Sequence, residues 1–171
     1  TIGALAGVDA DRDKTFESLS RAGFRVLGIA GKSLPATAES ISEADEHGLT
    51  LLGLLAFADP PKPGVNSTIT RLTAAGITVR MVTGDNRYAA AHIAESVGLE
   101  TGGLVTGSEL DRLPDDELVT RIERTGVFAE VEPAHKERII RALQASGHSV
   151  GFLGDGINDA LALRAADVGI S

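Results

Sequence analysis

The amino-acid sequence predicts an α/β fold in which a parallel sheet is covered by helices on both faces. Short apolar runs alternate along the chain with longer amphipathic runs, and several of the amphipathic runs end at a glycine, where a helix C-cap is expected. This alternation is typical of parallel strands joined by helical crossovers. In such sheets ligands bind at the carboxyl ends of the strands, so candidate sites are expected there.

The elements follow in order along the chain. A predicted helix ends at Gly23, and a strand follows it over residues 24–30. The later predicted strands are residues 49–58, 77–83, 126–131 and 149–153, and the sequence ends in a further strand-like run over 168–171. The predicted helices are residues 63–75, 87–97, 115–124, 133–145 and 158–166.

The pattern also predicts two domains. Residues 1–48 contain one helix, one strand and a loop of small and acidic residues, so we expect the end of a separate domain there. Residues 49–171 form the main α/β domain, and Pro60 and Pro61 stiffen the connection because each fixes φ. Since the chain starts without Met and stops inside an apolar run, we expect it to be truncated at both ends.

Composition excludes several classes of function. The net charge of −8 argues against nucleic acid or an anionic membrane as a partner. The chain contains no cysteine, which excludes disulfides and thiolate chemistry, and its four histidines lack the spacing of a zinc site. No apolar run approaches the about 18 residues that a membrane span needs, and no signal peptide is present, so we expect a soluble chain.

The most informative motif follows the predicted strand that ends at Leu153. Asp155 lies in a Gly-Asp-Gly turn, and Asn158 and Asp159 come next at the start of a helix, so the two carboxylates can face one point. Such a pair suits Mg²⁺, which takes few carboxylates and keeps water and phosphate oxygens as its other ligands. The alternative is a structural turn in which Asn158 or Asp159 only caps the helix.

Two further groups of polar residues lie at element ends. Thr83, Gly84 and Asp85 follow an apolar strand, where a hydroxyl and backbone N–H groups can hold phosphate oxygens, although such turns are often structural. Lys136 lies at the start of a helix, where the helix dipole disfavours a cation. It is either a solvated lysine or a residue with an anionic partner, such as a carboxylate together with phosphate. The neighbouring His135 is expected to be a surface or capping residue.

Taken together, these residues resemble the haloacid dehalogenase superfamily and, within it, the P-type cation-transporting ATPases. The matching segments, in their usual order, are residues 24–30, 59–62, 81–85, 128–136 and 154–170. The sequence around residues 135–138, 147–148 and 163–167 is most similar to the bacterial magnesium-transporting members. The resemblance implies a haloacid-dehalogenase-like Rossmannoid sheet. Residues 1–48 would then be the C-terminal part of a nucleotide-binding domain and residues 49–171 most of a phosphorylation domain.

The resemblance also implies a role for the catalytic candidates. Thr83 and the Gly84 amide would hold oxygens of the transferring phosphoryl group, and Asn158 would contact that group or its ligands. Lys136 would neutralise the charge of the phosphoryl group and of the nucleophile. A site of this kind acts mainly by positioning and by electrostatic stabilisation.

Cofactors and partners follow from the same resemblance. Asp155 would ligate Mg²⁺ and Asp159 would orient the metal site, while Arg25 and Asp85 would contact ATP. The transported cation would bind to membrane helices that this chain does not contain. The chain would then be a cytoplasmic part of a protein of the plasma or inner membrane, and the rest of that protein would be its partner.

The pattern departs from the family at the phosphorylated aspartate. Asp13 begins the run Asp-Lys-Thr, but Phe16 follows where the family motif has Gly, and the preceding residues are too polar for a strand. We therefore reject Asp13 as the nucleophile and expect the acceptor upstream of Thr1. The sheet would then lack the strand that lies between those ending at Thr83 and Leu153. We expect the chain alone to be inactive and weakly stable, because unpaired backbone groups are costly. Leu161 also stands where the family usually has proline.

Two other functions are consistent with part of this pattern. A soluble phosphatase of the same superfamily would share Thr83, Lys136, Asp155 and Asp159, but would need its own acceptor near the start of the chain. A non-catalytic binding module of the same fold would explain the missing nucleophile. It would not explain why the other site residues are all present.

Overall fold

The computed structural model describes residues 10–34, 40–154 and 157–171. The chain divides into two compact units, Thr1–Pro60 and Pro61–Ser171. Among the described residues, no helix combines the length and the apolar character that crossing a bilayer requires.

The first unit is an antiparallel strand pair packed against one helix. Helix α1 (Ala10–Arg21) is followed by β1 (Phe24–Gly31) and β2 (Thr50–Ala58), with a single turn of 3₁₀ helix at Glu43–Asp45 between the strands. Helix α1 packs on β1. The strands pair from Phe24 opposite Ala58 to Gly31 opposite Thr50, with a register shift at Ile29.

This pairing explains where the two units divide. Strand β2 satisfies its backbone groups on β1, so residues 50–58 lie with the first unit, and the division falls in the proline-rich segment after β2. The expected boundary between residues 48 and 49 therefore does not coincide with the structural division. The apolar character of residues 49–58 could not distinguish a strand of one unit from a strand of the other.

The second unit is a mixed α/β structure. Its strands are β3 (Met81–Val82), β4 (Leu104–Thr106), β5 (Val127–Ala129), β6 (Gly151–Leu153) and β7 (Val168–Ile170). Its helices are α2 (Val65–Ala74), α3 (Arg87–Ser96), α4 (Gly107–Arg112), α5 (Asp115–Glu123), α6 (Pro133–Ala145) and α7 (Ala160–Ala165). A 3₁₀ turn at Ile157–Asp159 leads into α7.

Three of the strands form a parallel sheet in the order β3-β5-β4. Strand β5 lies at its centre, and its three residues are fully buried. Because successive side chains of a strand point to opposite faces, Phe128 packs with residues of α4, α5 and α6, while Val127 and Ala129 pack with residues of α3. Helices thus cover both faces of this sheet, as the sequence predicted.

The other two strands of the second unit, β6 and β7, form a separate parallel pair. Among the described residues, no strand pairing joins the β3-β5-β4 sheet to the β6-β7 pair, so the sheet is interrupted between the strands that lead to Thr83 and Leu153. The interruption lies where the sequence predicted that a strand is missing. β3 has one edge that does not face β5, and β6 has one that does not face β7. Backbone pairing at these two edges would need a strand that the described residues do not supply.

Two elements were not predicted from the sequence. Strand β4 and the short helix α4 occupy residues 104–112, where a three-residue strand gives too short a run for a periodic signal. Strands β3 and β6 are also shorter than the predicted 77–83 and 149–153, since each pairs with a neighbour over only two or three residues.

Candidate functional site

The clearest contact between predicted site residues joins Lys136 and Asp159. The Lys136 ammonium donates to the Asp159 carboxylate, with 2.5 Å between Nζ and Oδ1, and the two side chains are only 14% and 12% exposed. Lys136 lies in the first turn of α6, and Asp159 occupies the N-cap position of α7, where its side chain makes no capping hydrogen bond. Of the two alternatives that the sequence left for Lys136, the structure thus shows the one with an anionic partner, a carboxylate of a sequence-distant segment.

The position of Asp159 depends on a glycine. A Cβ atom built on Gly154 would lie 2.8 Å from both Cβ and Oδ2 of Asp159, closer than real Cβ atoms approach. Gly154 follows β6 directly and thus lets the carboxylate lie against the strand end. Asn158 is exposed in the turn before α7. Asp155, the other predicted metal ligand, lies outside the described residues.

The residues after β3 form a compact turn. The Thr83 hydroxyl donates to Oδ2 of Asp85 at 3.0 Å, and the Asp85 N–H donates back to Thr83 Oγ1 at 3.1 Å. Gly84 is exposed between them. Asn86 then caps α3, since its side-chain oxygen accepts from the N–H groups of Tyr88 and Ala89. The turn thus places the exposed Gly84 directly after the Thr83 hydroxyl at the carboxyl end of a strand.

Backbone hydrogen bonds join this turn to the segment after β5. The Thr83 N–H donates to the Phe128 carbonyl at 2.9 Å, and the Val131 N–H donates to the Thr83 carbonyl at 3.2 Å. The residue before Val131 is Glu130, and its N–H donates to the Asp85 carbonyl at 2.9 Å. Because Val131 lies two residues before α6, the segment that carries Lys136 starts at the edge of the Thr83 turn.

His135 anchors the start of α6. Its Nδ1 accepts the Glu132 N–H at 3.0 Å, and its Nε2 lies 2.9 Å from Oδ1 of Asp111. With Nδ1 used as an acceptor, Nε2 carries the proton and donates to Asp111. The side chain is only 13% exposed, and a Cβ on Gly107 would lie 2.9 Å from the ring. His135 is thus the capping residue that the sequence left as one of two alternatives.

Arg25 lies exposed on β1, in the first unit, while the other candidates lie in the second. Among the described residues, no three His, Cys, Asp or Glu side chains are grouped closely enough to hold a metal ion. The metal ligands that the sequence names, the carboxylates of Asp155 and Asp159, are the hard oxygen ligands that Mg²⁺ prefers.

Two charged residues at this edge were missed from the sequence. The Glu130 carboxylate lies beside the Arg87 guanidinium, 3.3 Å between Oε1 and Nε, and this hydrogen bond raises the pKa of Arg87. Glu130 falls inside the predicted strand 126–131, so it was not considered a loop residue. A polar side chain at the end of an otherwise apolar run was the signal available.

A capping box at the end of β4 fixes the third loop of this edge. Oε2 of Glu109 accepts from the N–H and the hydroxyl of Thr106, at 2.8 and 2.7 Å, and these bonds hold the pKa of Glu109 below its usual value. The loops after β3, β4 and β5 are therefore each fixed by local hydrogen bonds.

Chemically, this arrangement suits the binding of an anionic group with several oxygens. A partly buried ammonium, a carboxylate, a hydroxyl and the backbone N–H of the exposed Gly84 belong to segments that follow strands. The carboxylate holds the ammonium in place. The ammonium has further N–H donors, and these could bind a second negatively charged partner.

Comparisons with known proteins identify the family of this chain. A family profile described as "Hydrolase: haloacid dehalogenase-like hydrolase" matches residues 9–167. The chain is 50% identical over 155 residues to the magnesium-transporting ATPase, P-type 1, of Escherichia coli, and 48% identical over 155 residues to the protein of that name from Salmonella typhimurium. It is 38% identical over 168 residues to calcium-transporting ATPase 1 of Bacillus cereus.

These similarities cover nearly all of the chain but only a small part of each relative. The alignments include 91% of this chain for the two magnesium-transporting proteins and 95% for the calcium-transporting one. They include 17% and 19% of the relatives' own lengths. The predicted resemblance to P-type ATPases and to the haloacid dehalogenase superfamily is confirmed.

Proposed function

Because the chain belongs to the haloacid dehalogenase-like hydrolase family, we propose that it is part of the catalytic region of a P-type cation-transporting ATPase. In this proposal the parent protein forms and hydrolyses an aspartyl phosphate by using ATP and Mg²⁺. It lies in the plasma or inner membrane with this region in the cytoplasm, and its transported ion is magnesium. Residues 1–48 would be the end of the nucleotide-binding domain and residues 49–171 most of the phosphorylation domain.

The observation that supports this proposal best is the Lys136–Asp159 pair. An isolated, partly buried ion pair is weak evidence for stability, because desolvation offsets much of the attraction. Its place at the carboxyl end of the sheet, where α/β folds bind ligands, favours a role in binding. Lys136 would neutralise charge on the transferring phosphoryl group and on the acceptor, while Thr83 and the Gly84 amide would hold phosphoryl oxygens.

The metal and the nucleotide would use the other candidates. Asp155 and Asp159 would hold Mg²⁺, and the metal would supply positive charge that offsets charge on the phosphoryl oxygens. Asn158 would contact the phosphoryl group, and Arg25 and Asp85 would contact ATP. The acceptor aspartate would come from a segment outside this chain, so we expect the chain alone to bind these ligands weakly without being phosphorylated.

Titration followed by amide NMR tests this proposal. Inorganic phosphate added with Mg²⁺ should shift the amides of Thr83 and Gly84 in the 171-residue chain. Lys136→Ala should weaken the apparent affinity by about tenfold, since one charge-assisted hydrogen bond is lost. Asp155→Ala should abolish the dependence on Mg²⁺.

Arg141→Ala is the matched control for Lys136→Ala. Arg141 lies on the same helix and also forms an ion pair, with Glu137, but its side chain is 64% exposed. Its removal changes the net charge equally and should leave phosphate binding unchanged. Equal binding by the wild type and Lys136→Ala would contradict the proposed function.

A further inference from the structure

One residue at the carboxyl edge of the sheet has an unfavourable backbone conformation. Glu130 has φ of 56°, and among the described residues it is the only one other than glycine with positive φ. This conformation costs free energy for any residue with a Cβ atom, and glycine or asparagine adopts it more easily. Such conformations persist where the surrounding contacts determine them, and they are concentrated at functional sites.

The backbone and side chain of Glu130 contact the segments after two other strands. Its N–H donates to the Asp85 carbonyl after β3. Its carboxylate accepts from the Arg87 N–H at 3.1 Å and lies within 3.4 Å of two guanidinium nitrogens of Arg87. Its carbonyl oxygen packs against Gly107 after β4, where a Cβ atom would lie 2.5 Å away. Glu130 thus joins the ends of β3, β4 and β5.

These contacts hold the Thr83 turn from its outer side. The Val131 N–H holds Thr83 through its carbonyl, and the Glu130 N–H holds Asp85 through its carbonyl. The carboxylate then fixes Arg87, the first residue of α3. The turn from Thr83 to Arg87 is therefore held at three points by two consecutive residues, and these residues lead directly into the segment of Lys136.

Stability alone does not account for the carboxylate at this position. The Arg87 and Glu130 side chains are 44% and 37% exposed, and ion pairs of that exposure contribute little to folding free energy. A glycine at residue 130 would keep the backbone conformation without its cost. The effect that remains for the carboxylate is geometric, because it fixes the N–H and the guanidinium of Arg87 relative to β5.

We propose that Glu130 is a positioning residue that holds the Thr83–Gly84–Asp85 turn in its phosphoryl-binding geometry relative to Lys136. The inference rests on the proposed function, because it assumes that this turn binds phosphoryl oxygens. Glu130 itself does not contact the phosphoryl group. Its carboxylate acts through Arg87 and its backbone N–H acts through Asp85.

Three substitutions separate the carboxylate from the backbone conformation. Glu130→Gln keeps an oxygen that can accept the Arg87 N–H, Glu130→Ala removes the acceptor and keeps the backbone cost, and Glu130→Gly removes both the acceptor and the cost. Glu137→Gln is the matched control, because Glu137 forms an exposed ion pair with Arg141 in the same unit. The assay is the apparent affinity for inorganic phosphate with Mg²⁺, read from the Thr83 and Gly84 amides, together with the thermal midpoint of each variant.

We expect the phosphate affinity to depend on the hydrogen-bond acceptor at residue 130, and the thermal midpoint to depend on the backbone conformation of that residue. Phosphate affinity should fall by about tenfold in Glu130→Ala and in Glu130→Gly, and by less in Glu130→Gln. The thermal midpoint of Glu130→Gly should equal or exceed that of Glu130→Ala, because glycine adopts positive φ without strain. Glu137→Gln should bind as the wild type does.

Two results would overturn the inference while the proposed function stands. Affinity equal to that of the wild type in all three Glu130 variants would show that the carboxylate has no positioning role. Affinity recovered in Glu130→Gly relative to Glu130→Ala would show that only the backbone conformation matters. Failure of the wild type itself to bind phosphate with Mg²⁺ would instead contradict the proposed function, and this inference with it.

Discussion

Lys136 carries a positive charge at the end of helix α6 that disfavours it. The partial positive charge of a helix N-terminus repels a cation by a few tenths to about 1 kcal/mol. The Asp159 carboxylate, 2.5 Å from Nζ, offsets this repulsion and lets the ammonium remain partly buried. Under the proposed function, this arrangement would leave Lys136 partly desolvated and fixed before a phosphoryl group arrives.

Glu109 provides a residue-scale prediction for the pH dependence of stability. Hydrogen bonds from the Thr106 hydroxyl and N–H hold its pKa below the ordinary value of 4.5. Since the folded-state pKa is depressed, Glu109 stabilises the fold above pH 4.5, and this contribution is lost as the pH falls through the folded-state pKa. Glu109→Gln should therefore lower the urea midpoint at neutral pH, and the difference from the wild type should shrink in acid.

Glu117→Gln serves as the control for that measurement, because Glu117 is an exposed acid on the next helix, outside the capping box. Its urea midpoint should follow that of the wild type at both pH values. A Glu109→Gln deficit that stays constant from neutral pH to acid would exclude the carboxylate charge as its source.

At the scale of elements, two arginines from sequence-distant segments satisfy the C-terminal ends of helices. The Arg80 guanidinium donates to the carbonyls of Ile122, Glu123 and Thr125 at the end of α5, with 2.7 Å to Ile122 and 3.1 Å to Glu123. Arg138 donates to two carbonyls at the end of α4. Helix ends leave such carbonyls without intrahelical partners. Arg80 thus joins the end of α5 to the residue before β3, and Arg138 joins the end of α4 to α6.

Arg80→Lys tests whether this arrangement needs the planar guanidinium. Burial lowers the pKa of Arg80, and lysine has one donor group where arginine offers a fork. One ammonium cannot reach three carbonyls in the same geometry, so we expect the free energy of unfolding to fall by about 1–2 kcal/mol. Urea denaturation measures the change. Arg124→Lys, an exposed arginine just after α5, should be nearly neutral, and an equally small effect for Arg80→Lys would contradict the capping role.

At the scale of the whole molecule, the sequence predicted the strands and their covering helices better than the contacts between distant segments. Strand β5 and its flanking helices were predicted because Val127, Phe128 and Ala129 form an apolar run between amphipathic segments. An anionic partner for Lys136 was one of two alternatives that the sequence left open, because the helix dipole disfavours a cation there. The hydrogen bonds from Arg80 to the end of α5 could not be predicted, and neither could the positive φ of Glu130. They depend on tertiary placement that no local pattern encodes.

The interruption of the sheet leads to a prediction about stability across the second unit. Strands β6 and β7 pair only with each other among the described residues, and Leu153, Val168 and Ile170 are 77%, 57% and 53% exposed. Strand β5 is fully buried between two neighbours. Few buried contacts and exposed backbone hydrogen bonds mark a segment that opens locally, so amide exchange in β6 and β7 should be at least about tenfold faster than in β5.

Strand β4 is the internal control for this exchange measurement by NMR. It is also three residues long and lies at a sheet edge, yet Val105 and Thr106 are fully buried. If the exposure of the β6–β7 pair controls its opening, β4 should exchange at a rate close to that of β5. Exchange of β4 as fast as β6 would assign the effect to edge position alone. Equal protection of all five strands would mean that the second unit unfolds as one cooperative body, and the interruption would then carry no energetic consequence.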